Sequence, residues 1–304
     1  MPKRQMLEPL RKYGDYRWES QPADDMQFEN LDFTRILQVR NLAIQNGRLS
    51  PKTSTKIEDV LDAFKLRRDG KLTNAAKILF RKIEGDVWSF KGPIEVKMAR
   101  FDSISMGSGD IFENYQPKLN AFDLIQQSSA FLEKTLMLGT GFPRGRVFRP
   151  DRLPLLMEAF REVLVNAVIH RGQPARGEYL TVDVYTDRVG FTSFDSSIRG
   201  ARLKNLLDRK IQAESCSPVI ADMFYRIGWA TLKKRGLGRV SELCKRCGIP
   251  PAEVEINENR FKVIFRLPIG KDTRDNAPDR YISSWRRGEM EWAARQQNRK
   301  AEPS

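Results

Sequence analysis

The sequence predicts an α/β fold divided into two parts. Residues 153–170 repeat apolar side chains at a helical period. Residues 177–194 and 252–268 instead alternate apolar and polar side chains, and each stretch is interrupted by a turn, which is the pattern of a β-hairpin. A linker bracketed by Pro143 and Pro150 separates this region from the helix-rich residues before it.

The first part is predicted to be a mixed helical and α/β domain over residues 29–142, preceded by a polar extension over residues 1–28. Segments of helical period end there at turn signals such as Gly47 and Asp69-Gly70. The predicted elements are helices at 31–47, 55–70 and 74–83, a strand at 92–102, a polar glycine-rich loop at 103–116 and a helix at 119–138.

The second part is predicted to span residues 151–268 and to be followed by a basic, polar tail over residues 269–304. The first helix of this part carries an apolar stripe that we expect to be buried, made of Leu156, Phe160, Val163, Leu164 and Ala167. The two hairpins turn at Asp187-Arg188 and at Asn257–Asn259. Further helices are predicted between the hairpins, at 201–210, 217–228 and 238–248.

The charge of the chain favours an anionic partner. The sequence holds 53 Lys and Arg against 39 Asp and Glu, a formal net charge of +14. Such a field attracts nucleic acid, nucleotide phosphates or an acidic protein. No apolar run reaches the roughly 18–20 residues of a membrane span, and no signal peptide is apparent, so we expect a cytoplasmic protein that does not bind membranes.

Two of the three cysteines, Cys244 and Cys247, form a C-x-x-C pattern. A zinc site needs four ligands, and the one histidine, His170, is distant in sequence. A thioredoxin-like motif would follow a strand, whereas this segment has a helical period and stops at Gly248. We interpret the motif as the last turns of a helix.

The first candidate functional residues of the second part are Glu162, Asn166 and His170. These residues are spaced four apart and therefore line up along one side of the helix. A carboxamide oxygen can ligate Mg²⁺, while a carboxylate one turn away orients or deprotonates a water molecule. The same spacing also occurs on ordinary solvated helix faces. His170, at the helix end, is interpreted as a structural anchor.

A second candidate site is the turn Gly236-Leu237-Gly238, which opens a helix. The start of a helix presents unpaired N–H groups and the positive end of its dipole to an anion. Arg239 and the basic residues before Gly236 add positive charge there. A single G-x-G is weak evidence, and an ordinary turn explains it equally well until the upstream helix is considered.

Taken together, several blocks resemble the C-terminal part of the RecG-related, Schlafen/AlbA-type family of prokaryotic ATP-binding regulators. The resemblance extends from about residue 29 to residue 268. The matching blocks are residues 70–80, 161–172, 185–191, 217–228, 235–255 and 261–268.

The resemblance implies that the second part is a divergent GHKL-like (Bergerat-type) α/β sandwich with a mainly antiparallel sheet. It implies ATP and Mg²⁺ as cofactors, with Asn166 as the Mg²⁺ ligand and Glu162 as the general base. It also implies that Gly236, Gly238 and Arg239 face the phosphates. Transcription regulation and antiviral defence are the processes in which such regulators act.

The sequence departs from the family in two places. The family has an Asn-Pro-Gly-Gly turn where this chain has Ser193-Phe194-Asp195-Ser196, so a β-carbon stands where backbone must approach adenine. Asp195 still offers an acceptor for the adenine amino group. The family's N-terminal nucleic-acid-binding or nuclease-like module has no counterpart, so we expect no nuclease activity.

Three functional hypotheses follow. The chain is a nucleotide-binding regulator, at most a slow ATPase, whose nucleotide state switches contacts with DNA or RNA. Alternatively, it is a scaffold with an inactive pocket that binds nucleic acid or a partner subunit. In the third hypothesis it belongs to a larger assembly in which another chain supplies the missing module. Self-association is compatible with each of them.

Overall fold

The computed structural model describes residues 18–83, 92–101, 111–137, 152–171, 179–194, 217–230, 236–257 and 260–267. The helices are α1 (Phe33–Gln45), α2 (Ile57–Ala63), α3 (Asn74–Phe80), α4 (Ala121–Met137), α5 (Leu153–His170), α6 (Pro218–Arg226) and α7 (Gly236–Cys247). The strands are β1 (Arg67–Arg68), β2 (Lys71–Leu72), β3 (Ile94–Phe101), β4 (Ile111–Tyr115), β5 (Lys118–Leu119), β6 (Leu180–Val184), β7 (Arg188–Phe194), β8 (Glu253–Asn257) and β9 (Arg260–Arg266). The predicted helix at 201–210 and the tail at 269–304 lie outside the described residues.

A mainly antiparallel sheet, with strand order β4-β3-β6-β7-β9-β8, organises the fold, and β5 also pairs with β3. Both predicted hairpins are present as the antiparallel pairs β6–β7 and β8–β9. The pairing of β3 with β6 is parallel and therefore requires the crossover that runs through α4 and α5. The predicted GHKL-like α/β class is confirmed.

The parallel β3–β6 pair joins the two parts of the chain in one sheet. Val96 of β3 lies opposite Leu180 of β6, and Met98 lies opposite Val182. All four side chains belong to one hydrophobic core that also includes residues from α1 to α7. The division into domains at 29–142 and 151–268 stays a prediction about folding units, because the two parts share a sheet and a core.

Helix α5 packs on this sheet through the stripe expected from its sequence. Leu156, Phe160 and Leu164 are fully buried, and Phe160 contacts the rings of Phe191 on β7 and Phe265 on β9 at centroid distances of 5.4 and 4.9 Å. Helix α7 packs in turn on α5. Helix α5 therefore packs against the sheet on one side and against α7 on another. This packing on both sides fixes the positions of its polar side chains.

The C-x-x-C pattern lies in the last turns of α7, as predicted. Cys244 and Cys247 are buried free thiols. Burial raises the pKa of Cys247 to about 11, which keeps the thiol protonated and unreactive near neutral pH. The Arg152 guanidinium donates a hydrogen bond to the Cys247 carbonyl oxygen at 2.8 Å, so the motif helps to join α7 to the start of α5.

Two predictions in the first part were wrong in detail. The loop predicted at 103–116 contains strand β4, which pairs with β3 and continues the sheet. The helix predicted at 55–70 ends at Ala63, and Lys65 adopts a positive φ of 57°. The chain leaves the helix there because residues 67–72 form a short hairpin, in which Asp69 and Gly70 both have positive φ at the predicted turn.

The end of the predicted N-terminal extension is part of the fold from Trp18 onward. Ala23 and Met26 are buried in the core. Glu19 is 1% exposed, and its carboxylate accepts hydrogen bonds from the backbone N–H groups of Val219 and Ile220 at 2.9 and 3.2 Å. A carboxylate at this place satisfies N–H groups that the start of α6 would leave unpaired.

Across the described ranges, no helix combines the length and the apolarity that crossing a bilayer requires.

Candidate functional site

Three polar residues of α5 lie in a row because they are spaced by one helical turn. They are Glu158, Glu162 and Asn166. Glu162 is 6% exposed, so it does not lie on a solvated helix face. The Asn166 side chain, one turn further along α5, lies close enough to Glu162 to lower the pKa of its carboxyl group. The carbonyl oxygen of an asparagine side chain can act as an acceptor or a metal ligand.

Arg239 reaches this row from the first turn of α7. Its guanidinium donates a hydrogen bond to Glu158 Oε1, and another of its nitrogens lies 3.8 Å from Glu162 Oε2. The sequence predicted Arg239 as a phosphate ligand beside the glycine turn. In the structure its partners are these two carboxylates, because the packing of α7 on α5 sets the guanidinium over the row.

Burial and charge act in opposite directions on Glu162. Burial raises the pKa of the carboxyl group, because the charged form loses its hydration. The Arg239 guanidinium lowers it, and Glu158 raises it further. For Arg239, the hydrogen bond to Glu158 raises the pKa. The net result is a carboxyl group whose pKa is shifted upward.

A polar cavity of about 160 Å³ opens beside these groups. Its lining consists of Glu158, Arg161, Glu162, Gly228, Trp229 and Arg239. Since a water molecule occupies about 30 Å³ in the liquid, the space accommodates several waters or an anion of phosphate size. The cavity therefore lies between α5, the end of α6 and the start of α7.

The turn that ends α6 brings Trp229 to this cavity. Gly228 has a φ of 84°, a conformation that favours glycine. The Trp229 N–H group donates to the Phe224 carbonyl and the Gly228 N–H group donates to the Tyr225 carbonyl, which is the Schellman pattern of a helix end. The indole stacks on Phe224 at 6.0 Å and is partly buried.

The predicted glycine turn is the beginning of α7. The helix starts at Gly236, and Gly238 is exposed in its first turn. The first N–H groups of a helix have no partner within the helix, so this end is suited to an anion. The predicted site residues thus lie on two helices that pack against each other, Glu162 and Asn166 on α5 and Gly236, Gly238 and Arg239 on α7. Their predicted roles remain predictions.

The predicted adenine side of the site is only partly described. Strand β7 continues to Phe194, and Asp195 lies outside the described residues. The cavity next to Ser193 and Phe194 has a volume of about 10 Å³ and is lined mainly by apolar side chains of α5 and the sheet. This volume holds at most one water molecule, so an adenine ring would require the surrounding side chains to move.

His170, predicted as an anchor at the helix end, is the last residue of α5 and is half-buried. Sequence reasoning missed four residues of the cavity, namely Glu158, Arg161, Gly228 and Trp229. Glu158 carries a usable signal, because it precedes Glu162 by one turn. Trp229 carries none, since its place depends on how the turn at Gly228 leaves α6.

Comparison with known proteins identifies part of the chain. Residues 177–265 match the family described as "Putative ATP-dependent DNA helicase recG C-terminal". No curated protein sequence matches the chain. The fold is similar to that of the DIP2311 protein from Corynebacterium diphtheriae, a crystal structure, with a TM-score of 0.59 and 16% identity.

That alignment covers 84% of this chain, and the chain spans 40% of the length of the DIP2311 protein. At this identity the similarity concerns the fold alone. The family match includes Gly236, Gly238 and Arg239 but begins after α5, so Glu162 and Asn166 lie outside it. Residues 177–265 are therefore similar to an ATPase-like domain.

Proposed function

We propose that this chain binds ATP at the interface of α5 and α7. One observation carries the proposal: Glu162, a buried carboxylate one helical turn from Asn166, lies beside a polar cavity next to the glycine-bearing start of α7. The match of residues 177–265 to an ATPase-like family supports the same ligand. Gly236 and Gly238 leave the approach to the first N–H groups of α7 open to a phosphate.

The donor atoms at this interface suit Mg²⁺. The carbonyl oxygen of Asn166 and the carboxylates of Glu162 and Glu158 are hard oxygen ligands, and Mg²⁺ is commonly held by one or two protein oxygens together with phosphates and waters. Bound there, the ion would neutralise phosphate charge. We assign Asn166 as the metal ligand and Glu162 as the general base for a slow hydrolysis.

We further propose that nucleotide binding regulates a contact with nucleic acid. The net charge of +14 is the observation that favours this partner over a neutral or basic one. Transcription regulation and defence are the settings we consider for such a switch. The charge leaves open whether a partner subunit or a second copy of the chain takes part.

A second candidate function is a scaffold without nucleotide. The ion pairs of Arg239 neutralise the carboxylates of α5, and the cavity beside Ser193 and Phe194 is too small for an adenine ring. Under this candidate, the same fold contacts nucleic acid or a partner protein and the cavity stays filled with water.

Thermal unfolding of the full chain with and without Mg-ATP separates the two candidates. A ligand at a hundred times its Kd stabilises the folded state by about 2.7 kcal/mol, so the Tm should rise measurably. Asn166→Ala is expected to abolish the rise, whereas Glu162→Gln should retain it and lose phosphate release.

The matched control is Asn41→Ala, which changes an exposed asparagine of α1 and should leave the rise unchanged. A Tm that stays constant up to millimolar Mg-ATP in the unsubstituted chain would reject nucleotide binding and leave the scaffold.

A further inference from the structure

Arg239 makes the polar link between α7 and the acidic row of α5. One guanidinium nitrogen donates to Glu158 and another lies 3.8 Å from Glu162. Glu158 and Glu162 are one helical turn apart, so the guanidinium spans both carboxylates at once. The side chain is about one-third exposed, which means that a ligand entering the cavity can reach it.

The formal charges that line the cavity cancel. Arg161 and Arg239 contribute two positive charges, and Glu158 and Glu162 contribute two negative charges. With its charges balanced, the cavity has no excess positive charge to attract a highly anionic ligand. A phosphate that enters must therefore compete with a carboxylate for one of the guanidinium groups.

Arg239 is the arginine better placed for this exchange. It is three residues after Gly236, in the first turn of α7, where the helix presents its open N–H groups. A guanidinium carries five N–H donors in a planar fork, so it can keep one carboxylate while it binds a phosphate oxygen. Its contact with Glu158 is a hydrogen bond, whereas its 3.8 Å approach to Glu162 is a weaker ion pair.

We propose that Arg239 is a latch that detects the terminal phosphate of a nucleoside triphosphate. Without nucleotide, Arg239 holds both Glu158 and Glu162. When a terminal phosphate is bound, Arg239 keeps Glu158 and exchanges Glu162 for a phosphate oxygen. This inference rests on the proposed nucleotide binding and assigns a positioning role to Arg239 and an anchoring role to Glu158.

The exchange makes binding sensitive to the number of phosphates. A diphosphate that lacks the terminal group leaves Arg239 on both carboxylates, so it gains nothing from the guanidinium. A triphosphate gains a charge-assisted hydrogen bond, which corresponds to about tenfold in affinity. The exchange also moves the Arg239 guanidinium away from Glu162. This happens only when the triphosphate, the substrate for hydrolysis, is bound.

The test compares the dissociation constants of Mg-ATP and Mg-ADP by calorimetry on the full chain. We expect the unsubstituted chain to bind Mg-ATP about tenfold more tightly than Mg-ADP. In Arg239→Gln the ratio of the two constants should fall to about one. The matched control Arg246→Gln changes an exposed arginine in the last turn of the same helix and should keep the original ratio.

If Arg239→Gln does not fold, Arg239→Lys is the second variant, because lysine keeps the positive charge and with it the fold. An ammonium group cannot hold a carboxylate and a phosphate in one planar fork, so the ratio should still fall several-fold. A wild-type ratio in either Arg239 variant would overturn the latch, as would equal affinity for the two nucleotides in the unsubstituted chain. If the unsubstituted chain binds neither nucleotide, the proposed function and the latch both fail. This outcome differs from failure of the latch alone, in which the nucleotides still bind.

Discussion

Glu162 is held where its carboxylate is poorly hydrated. Its side chain is buried between α5 and α7, and its polar neighbours are Asn166, Arg239 and Glu158. Burial outweighs the attraction of Arg239, so the pKa of the carboxyl group is raised in the folded chain. A group of this kind stabilises the fold when protonated and costs stability when it ionises.

The substitution Glu162→Gln should therefore change stability in a pH-dependent way. The carboxyl group favours folding below its unfolded pKa near 4.5, and this contribution is lost as the pH rises through the raised folded pKa. Glutamine stays neutral throughout. The free energy of unfolding of Glu162→Gln, relative to the unsubstituted chain, should thus increase between about pH 4 and 8.

Urea denaturation at several pH values measures this difference. Glu29→Gln, at an exposed position, is the control and should show no such trend. A Glu162→Gln difference that stays constant over this pH range would show that the carboxyl group titrates as it does in the unfolded chain.

At the scale of single residues, spacing predicts which side chains can meet along one helix but not which side chains reach it from elsewhere. The Glu162–Asn166 pair follows from four-residue spacing, and the structure places both residues on the same side of α5, one helical turn apart. The partners of Arg239 do not follow from its own segment, because they depend on how α7 crosses α5. From the sequence, a positively charged residue next to a glycine turn is equally consistent with binding a phosphate and with forming an ion pair.

The packing of α5 on the sheet depends on one aromatic side chain. Phe160 is fully buried between Phe191 and Phe265. Phe160→Ala removes these ring contacts and leaves a cavity, so the free energy of unfolding should fall by about 3–5 kcal/mol. Chemical denaturation measures the loss.

Leu42→Ala on α1 is the control for this substitution, because Leu42 is 41% exposed and its truncation should change stability by less than about 0.5 kcal/mol. A loss of similar size in both variants would mean that Phe160 does not hold α5 on the sheet.

At the scale of elements, local patterns predict long helices and hairpins with clear turns. Helix α5 and the β6–β7 hairpin at Asp187-Arg188 were predicted correctly. Strand β4 was missed because it is only five residues long, follows a glycine-rich stretch and is ordered by pairing with β3, a partner about 15 residues away. Helix α2 was predicted too long, since its helical period continues past the place where Lys65 turns the backbone into a hairpin.

The whole molecule is tied together across the predicted linker. Strands from both parts lie side by side in one sheet, and Glu19 of the N-terminal segment accepts hydrogen bonds at the start of α6. Local signals such as Pro143 and Pro150 predicted a boundary. They could not show that β3 and β6 pair in parallel, because this pairing joins residues more than 80 positions apart.

The net charge of the whole chain makes a prediction about nucleic acid. If phosphates are contacted, the affinity for a DNA or RNA oligonucleotide should fall at least roughly tenfold as salt rises from about 50 to 200 mM, because condensed counterions are released on binding. Fluorescence anisotropy measures the affinity. An uncharged-backbone analogue of the same sequence is the control and should bind weakly at every salt concentration. Binding that is indifferent to salt would argue against phosphate contacts.

The location of the nucleotide site is tested most directly by hydrogen exchange of the full chain with and without Mg-ATP. A nucleotide bound between α5 and α7 should slow exchange in peptides covering residues 236–240, where the open N–H groups of α7 would meet phosphate, and in peptides covering residues 158–170 of α5. Helix α1 serves as the internal reference and should exchange at an unchanged rate. Unchanged exchange along the whole chain, or protection confined to α1, would contradict a nucleotide site between α5 and α7.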